Sequence, residues 1–414
     1  MKVSRDQFLE QGYVILREVI PTDQLEELRH SHELLVERQR AVWARERGRD
    51  APPGGVWESG AQPRLSVGTM GAEHDKQTAS AIEFWLHENM QGVSSELLGE
   101  EDAPVTEMML MCNPVRDRGP AAWHRDFYPP LNAPLQAYAD DILETGPRYV
   151  QWNLPLYDDN VLYVVPGSHI RPNTDEENES IGRNPRAPVP GCVQTHLAAG
   201  DGVAYILPIL HWGSNYSTKM RRTMHGGFAR LTHYSDLRWL PYLSASAQET
   251  FARWHRRSEE YMEDAVAALR AVIDKDGAAY HTALFDDCTA LDKLHPGRGV
   301  KGVLKSTICF SKTARYIYNQ RSRNAASLTE AERRGGSQIH PMTMQWGEPL
   351  GAHFSPQEAD LLWQRFKPVD DAMRCEEEQF LPGFQGGPTR YRFEDVPDDL
   401  TVEGWMAGWA SNTD

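Results

Sequence analysis

Cysteine is scarce: the chain has five in 414 residues, at positions 112, 192, 288, 309 and 375. The number is odd and no pair has C-x-x-C spacing, which excludes a disulfide framework, a zinc ribbon and a thioredoxin-type centre and leaves reduced thiols. Long apolar runs are also missing. Nothing approaches the roughly 18 residues of a membrane span, and Met1-Lys2-Val3-Ser4-Arg5-Asp6 leads into an amphipathic helix without a signal-peptide core, so a cytoplasmic protein is expected. Positive charge is the minority sign, with 43 Lys and Arg against 59 Asp and Glu and a net charge of −16. Nucleic acid demands a basic footprint and is therefore not an expected partner, whereas a local basic patch for a small anion is compatible with an acidic surface. No Gly-rich phosphate loop, G-x-S-x-G elbow, internal repeat or heptad array is present, and Glu376-Glu377-Glu378 reads as a solvated face.

What the chain does contain is apolar material, 40% of its residues, enough for one large domain or two smaller ones. Ser4-x-x-Gln7 resembles a capping box and Gly12 a helix stop, so a short helix should precede a strand over Tyr13–Ile20. A second helix, from Thr22 to Arg40, sets Leu25, Leu28 and Leu35 on one side. Residues 42–80 mix Gly, Pro and charge without periodicity and read as loops over a pocket mouth. Thr106–Met111 is strand-like, its methionines core filler. Short strands then recur at 148–156, 161–165, 193–197, 202–207 and 222–230. Beyond residue 240 the periodicity turns helical. Ser246-x-x-Glu249 looks like a cap ahead of Phe251, Trp254, Met262, Leu269 and Ile273, and Ser355-Pro356-Gln357-Glu358 opens another helix. The expected division is a β-rich domain over 1–240 and a helical and irregular extension over 241–414, which packs on the core, walls a substrate pocket or supports a homodimer.

Four pieces carry chemistry: Trp123-His124-Arg125-Asp126, Val165-Pro166-Gly167-Ser168-His169, Gly200-Asp201, and His211 followed by Arg221-Arg222. Two imidazoles and a carboxylate can hold Fe(II) on one face and leave the opposite positions open, and His124, Asp126 and His211 can supply that set. A His and an acid two residues apart on an extended strand point to the same side. Alone the spacing says little, because 15 His and 59 acidic residues give roughly two H-x-[DE] matches by chance. The company of the other pieces gives it weight.

In order, these pieces resemble the phytanoyl-CoA dioxygenase family of Fe(II)- and 2-oxoglutarate-dependent oxygenases. The likeness runs through most of residues 4–235. It begins with Phe8–Ile20 as opening helix, Gly stop and first strand, and passes through the helix ending Leu97-Leu98-Gly99 and the H-x-D piece. Asn160–Val165 then leads into the Pro-Gly-Ser-His turn, and Gly200-Asp201 precedes an apolar run to His211, Asn215-Tyr216-Ser217 and the Arg pair. The resemblance implies a mainly β protein with helices, an α+β chain with a double-stranded β-helix (jelly-roll, cupin-like) core, N-terminal helices and a long, mostly helical C-terminal extension. It implies His124, Asp126 and His211 as catalytic iron ligands and an Arg on the far carboxylate of 2-oxoglutarate, with O2 as the third reactant. The planar guanidinium fork suits a carboxylate. Alignment on Asn215-x-Ser217, with Ser217 as a further co-substrate contact, favours Arg221; counting from His211 favours Arg222. Neighbours on a strand face opposite ways, so only one of the two can enter the site. Halogenating members carry a small residue in place of the acidic ligand, so Asp126 favours oxygen insertion.

Other residues have two readings each. Gln151 and Asn153 share a face of the strand Tyr149–Pro155 and either donate to 2-oxoglutarate or face solvent. Trp212 either shapes the substrate pocket or packs as a structural aromatic. His169 reads as structural, and His225 as a paired core histidine ahead of a pocket-facing one. The polar, Pro-punctuated segment between Ile170 and Gly191 is expected to be an irregular, mobile lid with Arg183 or Arg186 meeting an anionic substrate group. Arg116, Arg118, Arg183 and Arg186 together would make a basic mouth suited to a CoA ester. The expected reaction is hydroxylation of an unactivated C–H bond of a small molecule with release of succinate and CO2. Desaturation, epoxidation or rearrangement of a secondary metabolite with the same cofactors is the alternative within enzymes. Outside enzymes, the alternative is a degenerate oxygenase scaffold that acts as a binding protein.

Overall fold

The computed structural model describes residues 1–50, 63–117, 119–229, 234, 236–289, 300–323, 325–327, 329 and 348–410. Two compact units emerge: Met1–Asp126 with Gly146–His169 and Asn173–Arg257, and Phe127–Thr145 with Ile170–Pro172 and Ser258–Asp414. The second unit thus takes in Phe127–Thr145, which precedes residue 240, and the chain passes into it again after Arg257. Arg118, one of the four arginines of the basic mouth, and part of the loop segment 42–80 lie outside the described residues.

Local chemistry sets the first unit's opening. Ser4 accepts from the Gln7 amide and caps the helix Arg5–Gln11, and Gly12 ends it at φ 79°, a left-handed conformation that glycine adopts without a Cβ penalty. The strands in chain order are β1 Tyr13–Leu16, β2 Arg64–Ser66, β3 Val105–Cys112, β4 Gly119–Pro120, β5 Tyr149–Pro155, β6 Tyr163–Val164, β7 Val193–Gln194, β8 Gly202–Ile206, β9 His211–Trp212, β10 Ser214–Asn215 and β11 Arg222–Ala229. Six of them form an antiparallel sheet in the order β1-β8-β5-β11-β3-β2, β7-β6-β9 form a three-stranded sheet, and β4 pairs with β10.

Strand alternation gives the large sheet two different faces. On the outer one, Leu110, Met224, Leu154, Trp152 and Phe228 are all fully buried. Trp85 packs against Phe228, and the Trp152 indole donates to Ser94. Burying such side chains is the main favourable term here, about 1.5–3 kcal/mol for each large aliphatic or aromatic group. At the β1–β8 side of the inner face, Val203 and Tyr205 join Leu162, Val164, Leu197 and Ile209 in one apolar cluster and so seat the small sheet on the large one. Toward β3 and β2 that face turns polar.

Several expectations change here. The segment between Ile170 and Gly191 is irregular only at its two ends: Thr174 accepts from the Glu177 amide, Glu177 accepts from the Thr174 amide, and this capping box opens the helix Asp175–Arg183. The second helix begins at Leu25 and runs to Glu46, past the expected end at Arg40. The helix Ala245–Ile273 is capped two residues earlier than expected, with Ser244 rather than Ser246 receiving the Ala247 amide. Phe251, Trp254 and Leu269 on that helix are buried, as their spacing foretold.

The second unit is helical, built on Leu135–Thr145, Gly277–Thr289, Val300–Arg321 and Pro356–Ala372, with a small hairpin of β12 Arg374–Gln379 and β13 Thr389–Tyr391. Ser355 and Glu358 make the expected capping box with Pro356 in the first turn. Phe366, Leu362, Ile317, Tyr280 and Trp405 lie in one apolar core. Beside it, Asp370 is buried among Lys312 at 2.7 Å, Arg374 at 3.1 Å and the Tyr391 hydroxyl at 2.9 Å. No described helix is long and apolar enough to cross a membrane, and Cys112, Cys192, Cys309 and Cys375 form no disulfides.

Candidate metal centre

His124 is tied to His211 by a pair of backbone hydrogen bonds, 2.9 and 3.0 Å, so two stretches distant in sequence run side by side. Extended backbone then turns His124 and Asp126 inward and Arg125 outward. The Arg125 guanidinium is fully buried and donates to the carbonyls of Ser168 and Pro208 and to Asn173, which fastens the H-x-D segment to the Pro-Gly-Ser-His turn and to the segment leading into β9.

The three inward groups converge. His124 Nε2 lies 3.4 Å from Asp126 Oδ1, His211 Nε2 lies 3.4 Å from Asp126 Oδ2, and one ligand atom from each residue falls within 4.8 Å of the others. Each imidazole is held by its other nitrogen: His124 Nδ1–H donates to the Ala122 carbonyl at 2.8 Å and His211 Nδ1–H to the Ile209 carbonyl at 3.0 Å. That arrangement fixes the tautomer and presents both Nε2 lone pairs toward the carboxylate, as metal-binding histidines require. Burial lowers the His211 pKa to about 4, which keeps it neutral. For His124 burial acts downward too, but the hydrogen bond and charge of Asp126 outweigh it and raise its proton affinity. Burial would raise Asp126, yet the imidazoles and Gln151 hold its carboxyl far below the usual carboxylate range. Two imidazoles and one ionised carboxylate, open to solvent on one side, fit a divalent first-row metal such as iron.

Gln151 supports this set from β5. Its Nε2 donates to Asp126 Oδ2 at 2.9 Å and to the Tyr205 hydroxyl at 2.8 Å. Asn153, two residues on, accepts from His225 Nδ1 at 2.6 Å, and His225 Nε2 in turn lies 3.5 Å from Gln151. Gln151 and Asn153 therefore face the interior and not solvent. His225 is a paired, buried histidine, its pKa lowered to about 3 chiefly by burial, and it also belongs to the inner face beside the triad.

The arginine pair splits as alternation requires. Arg222 points to the outer face, where its Nε meets Glu33 at 2.7 Å and its Nη1 meets Asn113 at 2.9 Å. Arg221 lies on the side of Thr223, and both donate to Asp159 Oδ2, at 3.0 and 2.8 Å. Burial acts to raise the Asp159 carboxyl, but Arg221 and the amide and hydroxyl donors bring it below the ordinary range. Other candidates sit elsewhere. The Ser217 hydroxyl and amide both donate to Asp117 at the surface. Trp212 stacks on Tyr163 and abuts Trp123 in an apolar cluster on the far side of β9. Arg183 ends the capped helix and Arg186 follows it, both exposed. His169 is buried against Gly12 and donates to the Leu9 carbonyl, a structural role.

Tyr205, Asp159, Arg64 and Glu107 were not singled out by sequence. Tyr205, Glu107 and Arg64 join Gln151 and the inner face only through the register of paired strands, and Asp159 sits where no local motif marks it.

No protein-family model matches the chain, and no curated protein matches it. Among solved structures it is similar to the non-heme alpha ketoglutarate dependent epimerase SnoN from nogalamycin biosynthesis, at 18% identity over 54% of this chain and 81% of that one, with a TM-score of 0.37. It is also similar to EctD from S. alaskensis, solved with 2-oxoglutarate and 5-hydroxyectoine, at 17% identity over 55% and 77% with a TM-score of 0.39. AviO1 from Streptomyces viridochromogenes Tue57 matches at 19% identity over 54% and 92% with a TM-score of 0.38. Likenesses this slight fix neither the fold nor the activity of this chain.

Proposed function

We propose that the chain is a non-haem Fe(II)- and 2-oxoglutarate-dependent oxygenase that hydroxylates an unactivated C–H bond of a small molecule, and that its core is a double-stranded β-helix of the phytanoyl-CoA dioxygenase type. The observation that carries this reading is the convergence of His124, Asp126 and His211 with both imidazoles locked by carbonyl acceptors. When bound, iron supplies the oxidation of co-substrate and substrate by O2, and the protein supplies position. His124, Asp126 and His211 hold the metal; Gln151 aims Asp126 by taking up Oδ2. Arg221 anchors the far carboxylate of 2-oxoglutarate, its guanidinium steadied by Asp159, while Arg222 serves packing with Glu33.

The test compares two neighbours. Arg221→Ala should weaken 2-oxoglutarate binding by about 100-fold, the value of a lost bidentate charge-assisted contact, and Arg222→Ala should leave it nearly unchanged. Equal losses in both variants, or none in either, would contradict the assignment. Product mass separates hydroxylation, which adds one oxygen, from desaturation, which removes two hydrogens.

A further inference from the structure

The strand register places side chains on the inner face in rows, because residues directly opposite in antiparallel strands share a face. Arg64, Met111 and Thr223 form one row; Ser66, Met109, His225 and Asn153 the next; Glu107, Gly227, Gln151 and Tyr205 the third. The third row includes Gln151, which touches Asp126, so this face looks onto the metal centre. Interior faces of sheets are normally apolar. Here, away from the small sheet, the face offers hydroxyls, amides, an imidazole, two thioethers and two ionisable chains of opposite sign.

Those two chains are exposed while the residue that follows each on its strand is buried. Arg64 is open to solvent beside buried Leu65, and Glu107 is open beside buried Met108. Surrounding protein raises the Glu107 carboxyl, with Arg64 acting in the opposite sense and the charge of Asp126 in the same one, which places both Arg64 and the triad within electrostatic reach of it. The positive charge of Arg64 is also felt at His124, His211 and His225, where it disfavours protonation. A wall of this chemistry suits a polar ligand with charge of its own and offers little to a long acyl chain.

Resting on the oxygenase reading above, we propose that Arg64 and Glu107 are the substrate-selecting pair of the site, and that the prime substrate is a small amphoteric acid whose oxyanion meets Arg64 and whose amine or hydroxyl donates to Glu107. The guanidinium fork takes a carboxylate or a phosphate equally well, so the test includes both.

Protein loaded with Mn(II) and 2-oxoglutarate, which does not turn over, is titrated calorimetrically with free amino acids, aminoalkyl phosphates, the primary amides of the same amino acids, and an acyl-CoA. Binding is expected from members of the first or second group and not from the amides or the thioester. Arg64→Gln should weaken that binding at least tenfold and leave the 2-oxoglutarate Kd within twofold, with part of the affinity recovered in Arg64→Lys. Glu107→Gln should weaken the amine-bearing ligands alone, about threefold to tenfold. Silence from every acid, preference for amide or thioester, or loss of 2-oxoglutarate affinity in Arg64→Gln would overturn the pair's role. Wild-type protein that takes up neither Mn(II) nor 2-oxoglutarate would instead overturn the oxygenase reading, and this proposal with it.

Discussion

Two largely enclosed carboxylates, one in each unit, are surrounded in opposite ways. Asp370 has no exposed side-chain surface and is met by Lys312, Arg315, Arg374 and the Tyr391 hydroxyl. Its oxygens are taken up by cations that belong to the chain, and Lys312, whose pKa burial lowers to about 8, lies over the Tyr391 ring as well. Asp126 keeps 21% of its side-chain surface exposed, and its partners are two imidazoles and an amide. A carboxylate saturated by fixed cations is a structural element, whereas one matched with convergent imidazole nitrogens is suited to an added cation. Enclosure and a depressed pKa are common to both and so do not identify a site.

Substitution can break that contrast. His124→Ala or Asp126→Ala should abolish divalent-metal uptake, more than about 100-fold, since even supporting residues around a metal are worth 10–100-fold. Metal titration followed by calorimetry checks this, and the folded state should survive. Asp370→Ala has the reverse profile. It leaves buried cations uncompensated and should destabilise the fold by about 3–5 kcal/mol in urea unfolding, with no change in metal affinity among molecules that remain folded.

Acid sharpens it further. His32 and His169 are buried and neutral, each lowered to about 4 by desolvation. The unfolded chain binds these protons near pH 6.5 and the folded chain near 4, so their contribution is complete above 6.5 and is lost as pH falls through 4. The loss is on the order of 3 kcal/mol for each histidine, because every tenfold difference in proton affinity between the two states is worth about 1.4 kcal/mol. Urea midpoints across that range should fall with pH, and His169→Gln should flatten the slope. The smallest effect belongs to Gln151→Ala, which frees Asp126 to turn and should weaken metal binding about tenfold with little change in stability.

Much of the site was legible because its parts are local. The H-x-D spacing needs only strand alternation, and the structure shows it as His124 and Asp126 inward with Arg125 buried behind them. The caps at Ser4 and Ser355 were readable for the same reason, being closed within four residues. The box at Thr174-x-x-Glu177 was just as local, but Pro and charge around it masked the signal. What could not be read depends on pairing across the sheet. Which of Arg221 and Arg222 faces inward is decided by Asp159 and Glu33, 62 and 189 residues away. Arg64 joins the inner face only through its register with Met111. The helices Leu135–Thr145 and Val300–Arg321 went unread, although on the first Leu135, Ala139 and Ile142 recur at helical spacing and are buried.

The most direct test is an anaerobic titration of the purified protein with Fe(II) and then 2-oxoglutarate, following the weak visible metal-to-ligand charge-transfer band, with His124→Ala and Arg221→Ala in parallel. The band should appear in the wild type, be absent in His124→Ala and need far more 2-oxoglutarate in Arg221→Ala. A folded wild-type protein that gives no band would contradict the oxygenase reading and favour a scaffold that binds without catalysing.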